Sequence, residues 1–123
     1  MELATTSVDR YTIIKASGKI DWENARTLDN TVQQTIEEGA KYLVFNLDDV
    51  TFLCSGGIGA LVYNLNRVKE NGGAIYIISS NEYVNYIFET LKFNIVFDGL
   101  LFTSYEEFQE RVMGDMQQAT EAS

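Results

Sequence analysis

The sequence predicts a single-domain α/β fold, a sheet with parallel strands joined by crossover helices. Three observations carry the prediction. Apolar segments alternate between strand-like and helix-like spacing along the chain. The length, 123 residues, suits one domain with a single core. Hydrophobic residues make up 46%, with seven Tyr and seven Phe, a globular rather than disordered composition.

The elements follow in order. Residues 3–8 form a short first strand, with Asp9 and Arg10 at the turn. "RYTIIKASGKI" (residues 10–20) is rich in β-branched and aromatic residues and breaks at Gly18, so it is a strand. Asp21 stands as the N-cap of a helix. Behind it Trp22, Ala25, Leu28, Val32 and Ile36 recur at steps of three and four, one helical face closed by Gly39. "KYLVFNL" (41–47) is a continuous apolar run, the pattern of a strand buried on both faces, and "DDV" (48–50) is a loop or turn. Ile58, Leu61, Val62, Leu65 and Val68 mark a second helix, stopped by Asn71-Gly72-Gly73. "AIYIIS" (74–79) is another buried strand. Val84, Ile87, Phe88 and Leu91 mark a third helix, capped by Ser80 or Asn81. "NIVF" (94–97) is a last short strand. Ser104 to Glu107 spells a capping box, and Tyr105, Phe108 and Val112 line a fourth helix. The domain is expected over 1–115. The tail 116–123 has no periodicity and is expected to be mobile.

Composition narrows the function. The net charge is −9 and the pI about 4.3. An acidic surface repels phosphate backbones and anionic lipid heads, so neither nucleic acid nor membrane is expected as a partner. One cysteine permits no internal disulfide. "MELATTSVDR" lacks the basic and apolar regions of a signal peptide, and no apolar run reaches membrane-spanning length. A cytoplasmic location is expected. The chain has no histidine, which removes the commonest general base and metal ligand and rules out a Ser-His-Asp triad. No oligomeric state follows from these numbers.

The chemistry concentrates in "TFLCSGGIGALVYNL" (51–65). The stretch Cys54-Ser55-Gly56-Gly57 falls between a central strand and a helix beginning near Gly57, at the strand edge where open α/β sheets place their sites. The helix start offers unpaired N–H groups and a positive dipole end, and Ser55 is the nearest hydroxyl. Phosphoserine there would carry about −1.5 to −2 charge. A plain N-cap at Ser55 beside a glycine turn explains the same pattern. A phosphate-cradling P-loop would need a lysine after the glycines, and none follows until Lys69. Gly57-Ile58-Gly59 is part of a dinucleotide fingerprint, but position 62 is Val. Cys54 could act as a thiolate nucleophile, although no arginine between Ser55 and Asn66 would close a phosphatase loop; a small residue filling the strand end accounts for it better. Asp48 and Asp49, with Asp21 and Glu23, have no ligand spacing behind them. No metal or cofactor is expected. Tyr63, Tyr76, Tyr83 and Tyr86 fall mostly at core spacing.

Three blocks, "GKIDWENARTLDNTV", "YLVFNLDDVTFLCSGGIGAL" and "NGGAIYIISSNEYVNYIFETLKFNIVF", together resemble the sulphate-transporter and anti-sigma-factor-antagonist (STAS) domain over residues 5–112. As a stand-alone domain the chain resembles a bacterial anti-sigma factor antagonist. The resemblance implies a STAS-like fold, a mixed sheet of four to five strands with about four α-helices. It matches Gly18-Lys19-Ile20-Asp21 to the family's Gly, polar, Leu or Ile, Asp stretch. It matches Cys54 to Gly59 to the signature Asp-Ser-Ser/Thr-Gly-Leu/Ile-Gly, with Cys54 in place of Asp and Gly56 in place of Ser or Thr. It implies phosphorylation of Ser55 by an anti-sigma factor of serine-kinase type, reversal by a serine phosphatase, and no enzyme activity. The implied partner surface is Asp21, Trp22, Cys54, Ser55, Gly56, Gly57 and Ile58. A STAS scaffold or transporter-associated subunit without phosphorylation is the alternative.

Overall fold

The computed structural model describes residues 1–114. The elements are β1 (Glu2–Val8), β2 (Tyr11–Ile20), α1 (Ala25–Glu37), β3 (Tyr42–Leu53), α2 (Ser55–Glu70), β4 (Ala74–Ile78), α3 (Glu82–Thr90), α4 (Phe93–Val96), β5 (Leu101–Phe102) and α5 (Tyr105–Phe108), which continues as a π-helical turn over Gln109–Met113. One five-stranded sheet runs in the order β1-β2-β3-β4-β5. β1 pairs antiparallel with β2, and the other pairs are parallel. The mixed α/β sheet expected from the sequence is present.

Period-two alternation splits the core into two layers. Ile14 and Ala16 of β2, Leu43, Phe45 and Leu47 of β3, and Ile75 and Ile77 of β4 face the layer shared with α1, α2 and α3. Tyr11, Val44, Ile78 and Phe102 face the other, under Phe108 of α5 and Met113. Both sides of β3 are therefore covered, which is why "KYLVFNL" reads as an unbroken apolar run. α1 and α2 also share a polar lock. Asn64, fully buried, donates to Asp29 Oδ1 at 2.7 Å and to the Ala60 carbonyl at 2.8 Å. Arg67 donates to the Asp29 carbonyl at 2.9 Å.

Four expectations need correction. "DDV" is strand, because β3 continues to Leu53. Two bulges hide this: between Lys15/Asn46 and Lys19/Phe52 the strand β3 carries two more residues than β2, which breaks the alternation. "NIVF" is mostly helix α4, entered through Lys92 in the left-handed region (φ 63°). Phe93 and Phe97, four apart, then share a helical face, and Phe97 packs on Phe88 with ring centroids 5.4 Å apart. The last strand is Leu101–Phe102, paired with Ile77 and Ile78. Asp21 does not cap α1, which starts at Ala25 after Asn24. Trp22 consequently lies outside the helix and is 74% exposed rather than on its buried face. Tyr63, Tyr83 and Tyr86 point outward, and only Tyr76 joins the core margin.

Other local signals hold. Gly39 closes α1 at φ 99°, a conformation that favours glycine. Ser104 Oγ accepts the Glu107 N–H at 3.0 Å, half of the expected capping box, while the Glu107 carboxylate takes the Thr103 hydroxyl at 2.8 Å. The expected tail 116–123 lies outside the described residues.

Candidate functional site

The candidate site lies where β2 and β3 end side by side. Ile20 pairs with Leu53, and the Cys54 N–H donates to the Ile20 carbonyl at 3.3 Å, one step past the ladder. The chain then turns straight into α2. Cys54 is the N-cap, with extended backbone (φ −103°, ψ 172°) and no side-chain hydrogen bond to the helix. The first turn closes when the Ile58 N–H reaches the Cys54 carbonyl at 3.0 Å. The helix therefore begins at Ser55 itself, two residues earlier than the sequence suggests. Ser55 is exposed on the first turn, where N–H groups have no partner within the helix.

The glycines have separate reasons. A Cβ on Gly57 would sit 2.4 Å from the Ile20 carbonyl oxygen, so only glycine lets α2 start this close to β2. A Cβ on Gly56 would meet the Trp22 Cβ at 3.0 Å. Gly59 has open space around it.

Trp22 is held there by a small turn. Asp21 Oδ1 accepts the N–H groups of Glu23 and Asn24 at 3.0 and 3.1 Å. Asn24 Oδ1 accepts the Asp21 N–H at 3.0 Å, and its Nδ2 donates to the Lys19 carbonyl at 2.7 Å. This reciprocal pair uses Asp21 as a turn former and turns the indole toward solvent beside Gly56. On the other side Phe52, 43% exposed, precedes Leu53. The Leu53 N–H donates to the Tyr83 hydroxyl at 3.3 Å. The neighbours of Ser55 in sequence thus touch or carry three exposed aromatic residues: Gly56 approaches Trp22, Leu53 bonds Tyr83, and Phe52 stands three residues before.

Of the residues singled out from the sequence, Trp22, Ser55 and Gly56 reach the surface, and Asp21 and Cys54 are half-buried. Gly57 and Ile58 are buried beneath them and shape the surface from below. Asp48 and Asp49 do not converge on a metal: Asp48 Oδ1 accepts from Ser80, and Asp49 pairs with Lys15 at 3.0 Å. No cluster of three metal-ligating residues exists among the described residues. Sequence reasoning missed Phe52 and Tyr83. Recognising that β3 runs to the buried Leu53 would have put Phe52 on the opposite face of the strand.

The STAS domain model matches residues 2–108. The chain belongs to the STAS-domain family. Among relatives of this STAS domain, the anti-sigma-B factor antagonist of Staphylococcus aureus strain NCTC 8325 / PS 47 is 24% identical over 89 residues, covering 72% of this chain and 82% of the relative. A solved anti-sigma factor antagonist from Mycobacterium paratuberculosis has the same fold at TM-score 0.78, with 18% identity over 91% of this chain and 93% of its own. The Bacillus cell fate determinant SpoIIAA, solved in its phosphorylated form, superposes with TM-score 0.67 at 17% identity, over 90% of this chain and 99% of its own. No helix among the described residues is long and apolar enough to cross a membrane.

Proposed function

We propose that this STAS domain is an anti-sigma factor antagonist that works by partner switching in the cytoplasm. Unmodified, it binds an anti-sigma factor of serine-kinase type. Phosphorylation of Ser55 ends that binding, and a serine phosphatase restores it. The domain itself carries out no reaction. The observation that carries the proposal is the exposed Ser55 on the first turn of α2, next to Gly56, which stands against the exposed Trp22, with Phe52 exposed three residues before. The names of the relatives point the same way.

The physics fits a switch. A partner seated on this rim must desolvate Ser55 along with the aromatic rings. A phosphoserine dianion there becomes a buried charge whose partner groups were arranged for a neutral hydroxyl. Such a charge costs several kcal/mol, and each 1.4 kcal/mol is about tenfold in affinity. Gly57 and Ile58 keep the platform rigid from below. Asp21, Trp22, Cys54, Ser55 and Gly56 provide its outer surface.

The test is intact mass of the chain isolated from its own cells in growth and in stress, beside a Ser55→Ala control. A phosphoryl increment that vanishes in the control is expected. The paired binding experiment uses a co-purifying ATP-binding partner: Ser55→Ala should keep it and Ser55→Asp should lose it. Equal binding by both variants would sink the switch.

A second reading, a STAS scaffold without phosphorylation, draws on Cys54 and Gly56. The acid of the signature loop is absent, so Ser55 has no carboxylate beside it to help present it to a kinase. That reading expects no phosphorylated form in any condition.

A further inference from the structure

β3 outruns its neighbour. The β3–β4 ladder ends at Asn46 opposite Ile78, yet β3 continues for seven more residues to Leu53 and then delivers Ser55. On the β4 side no strand among the described residues lies beside this extension. The start of α3 stands in for one. Asn81 Nδ2 donates to the carbonyls of Asp48 (3.2 Å) and Val50 (2.6 Å), two residues apart as a neighbouring strand would take them. The Tyr83 hydroxyl then accepts the Leu53 N–H at 3.3 Å. Asp48 returns the contact, its Oδ1 accepting the Ser80 N–H at 2.6 Å and the Ser80 hydroxyl at 3.0 Å. The tethered stretch is also where β3 bulges twice against β2, so its register there is not set by regular pairing alone.

We infer that Asn81 is a positioning residue for Ser55: its side-chain amide holds the bulged end of β3, and so fixes where α2 begins and where the Ser55 hydroxyl stands. The inference rests on the proposed function only for what that hydroxyl does. Asn81 has a second, separable task. Its Oδ1 accepts the N–H groups of Tyr83 and Val84 at 3.0 and 3.3 Å and caps α3. The two ends of one amide therefore divide the work. An acceptor end serves the helix, and a donor end serves the strand. Asn81→Asp and Asn81→Ser both retain a capping oxygen. Asp has no donor to offer the two carbonyls, and the shorter Ser side chain has a single hydroxyl in place of the two-proton amide. If Asn81 were only a cap, both variants would behave like the wild type.

The experiment is amide hydrogen exchange on the full chain, without any partner, for wild type, Asn81→Asp, Asn81→Ser and Asn81→Ala. Ser104→Ala, which removes the distant cap of α5, serves as a control for general destabilisation. The expected result is exchange at least tenfold faster at the hydrogen-bonded amides of Leu53, Cys54 and Ile58 in all three Asn81 variants, with α3 loosened only in Asn81→Ala. Ser104→Ala should leave those three amides unchanged. Wild-type protection of those amides in Asn81→Asp and Asn81→Ser would overturn the inference, as would a rise matched by Ser104→Ala. Intact mass of the wild-type chain from cells, measured alongside, separates the two claims. Faster exchange without a phosphoryl group on wild type removes the proposed function and keeps the tether. A phosphoryl group with unchanged exchange does the reverse.

Discussion

Replacing Gly57 by alanine tests how the site is built. The new Cβ would lie 2.4 Å from the Ile20 carbonyl oxygen and 2.8 Å from the Ile20 Cγ2. Ordinary contact begins about 1 Å further out than the first of these. The obstacle is the backbone of β2 where it pairs with Leu53 of β3, so no rotamer change relieves it. The start of α2 must lift from β2 by about that 1 Å, which also strains the 3.3 Å bond from the Cys54 N–H to the same carbonyl. Overpacking of this kind costs ~1–3 kcal/mol or more, and a weakened hydrogen bond adds about 1 kcal/mol. Alanine's helix propensity returns up to ~1 kcal/mol. The net expectation is roughly 1–3 kcal/mol. With an unfolding entropy near 2.1 cal/mol/K per residue, a chain of this length should melt roughly 4–12 °C lower. Gly56→Ala is the internal comparison. Its Cβ meets the Trp22 Cβ at 3.0 Å, on a turn at the surface that can give by a few tenths of an ångström. It should cost less than about 1 kcal/mol. Urea and thermal unfolding of both variants decide the matter. A Gly57→Ala midpoint within experimental error of wild type, or no difference between the two glycines, would refute the close-approach argument.

Three further outcomes follow from the same geometry. Cys54→Asp places a capping carboxylate on an N-cap that already has extended backbone, so it should stabilise the chain by about 1 kcal/mol; an unchanged or lowered Tm would show that the first turn has no capping deficit. Trp22→Ala should leave stability within about 0.5 kcal/mol, because most of the side chain is in solvent, and under the proposed function should weaken binding of the anti-sigma factor at least tenfold; calorimetric titration reads the second number, and undiminished affinity would remove Trp22 from the proposed partner surface. Burial, and for each ring a neighbouring tyrosine, raises the hydroxyl pKa of Tyr11 and Tyr76 above 10.0. The folded chain then holds these protons more tightly than the unfolded one, so their contribution is complete below pH 10 and is lost as pH rises through the folded values. Denaturant titrations from pH 9 upward should show that decline, and Tyr76→Phe should flatten part of it.

Much of the fold was legible because single residues carried it. Leu43 to Leu47 announced a strand buried on both faces, and Ile58, Leu61, Leu65 and Val68 announced one face of α2, all of them buried. The failures share a cause. Asp48 to Val50 looked like a loop because polar residues at two bulges broke the period, and a bulge is set by the partner strand rather than by local composition. Asn94 to Phe97 is too short a run for periodicity to tell strand from helix, and the left-handed Lys92 that decides it has no sequence signature as strong as glycine's. The glycine-rich entry into α2 could be read directly, but its start at Ser55 rather than near Gly57 could not. The turn that presents Trp22 could not, since Asp21 was equally acceptable as a helix cap. Tyr83 was hidden by its own α3 spacing, which resembles core spacing until the helix is placed against β3.

The substitution of Cys54 for the acid of the signature loop bears on the proposed switch in a definite direction. With aspartate at the N-cap, the open N–H groups of the first turn would be partly satisfied, and a phosphoryl group on the next residue would face a like charge. Here the cap makes no side-chain bond, and no carboxylate stands at the cap or in the first turn. A phosphate on Ser55 is then the first anion to reach that helix end, where unpaired N–H groups and the dipole favour it. Under the proposed function, modification should make the isolated domain more stable while making its complex weaker. The two effects come from the same charge: it is solvated and helix-bound in the free chain, and stripped of water beneath a partner. A phosphorylated chain that melts below the unmodified one would place the phosphate away from the helix start and remove this explanation of how the domain stays folded while it lets its partner go.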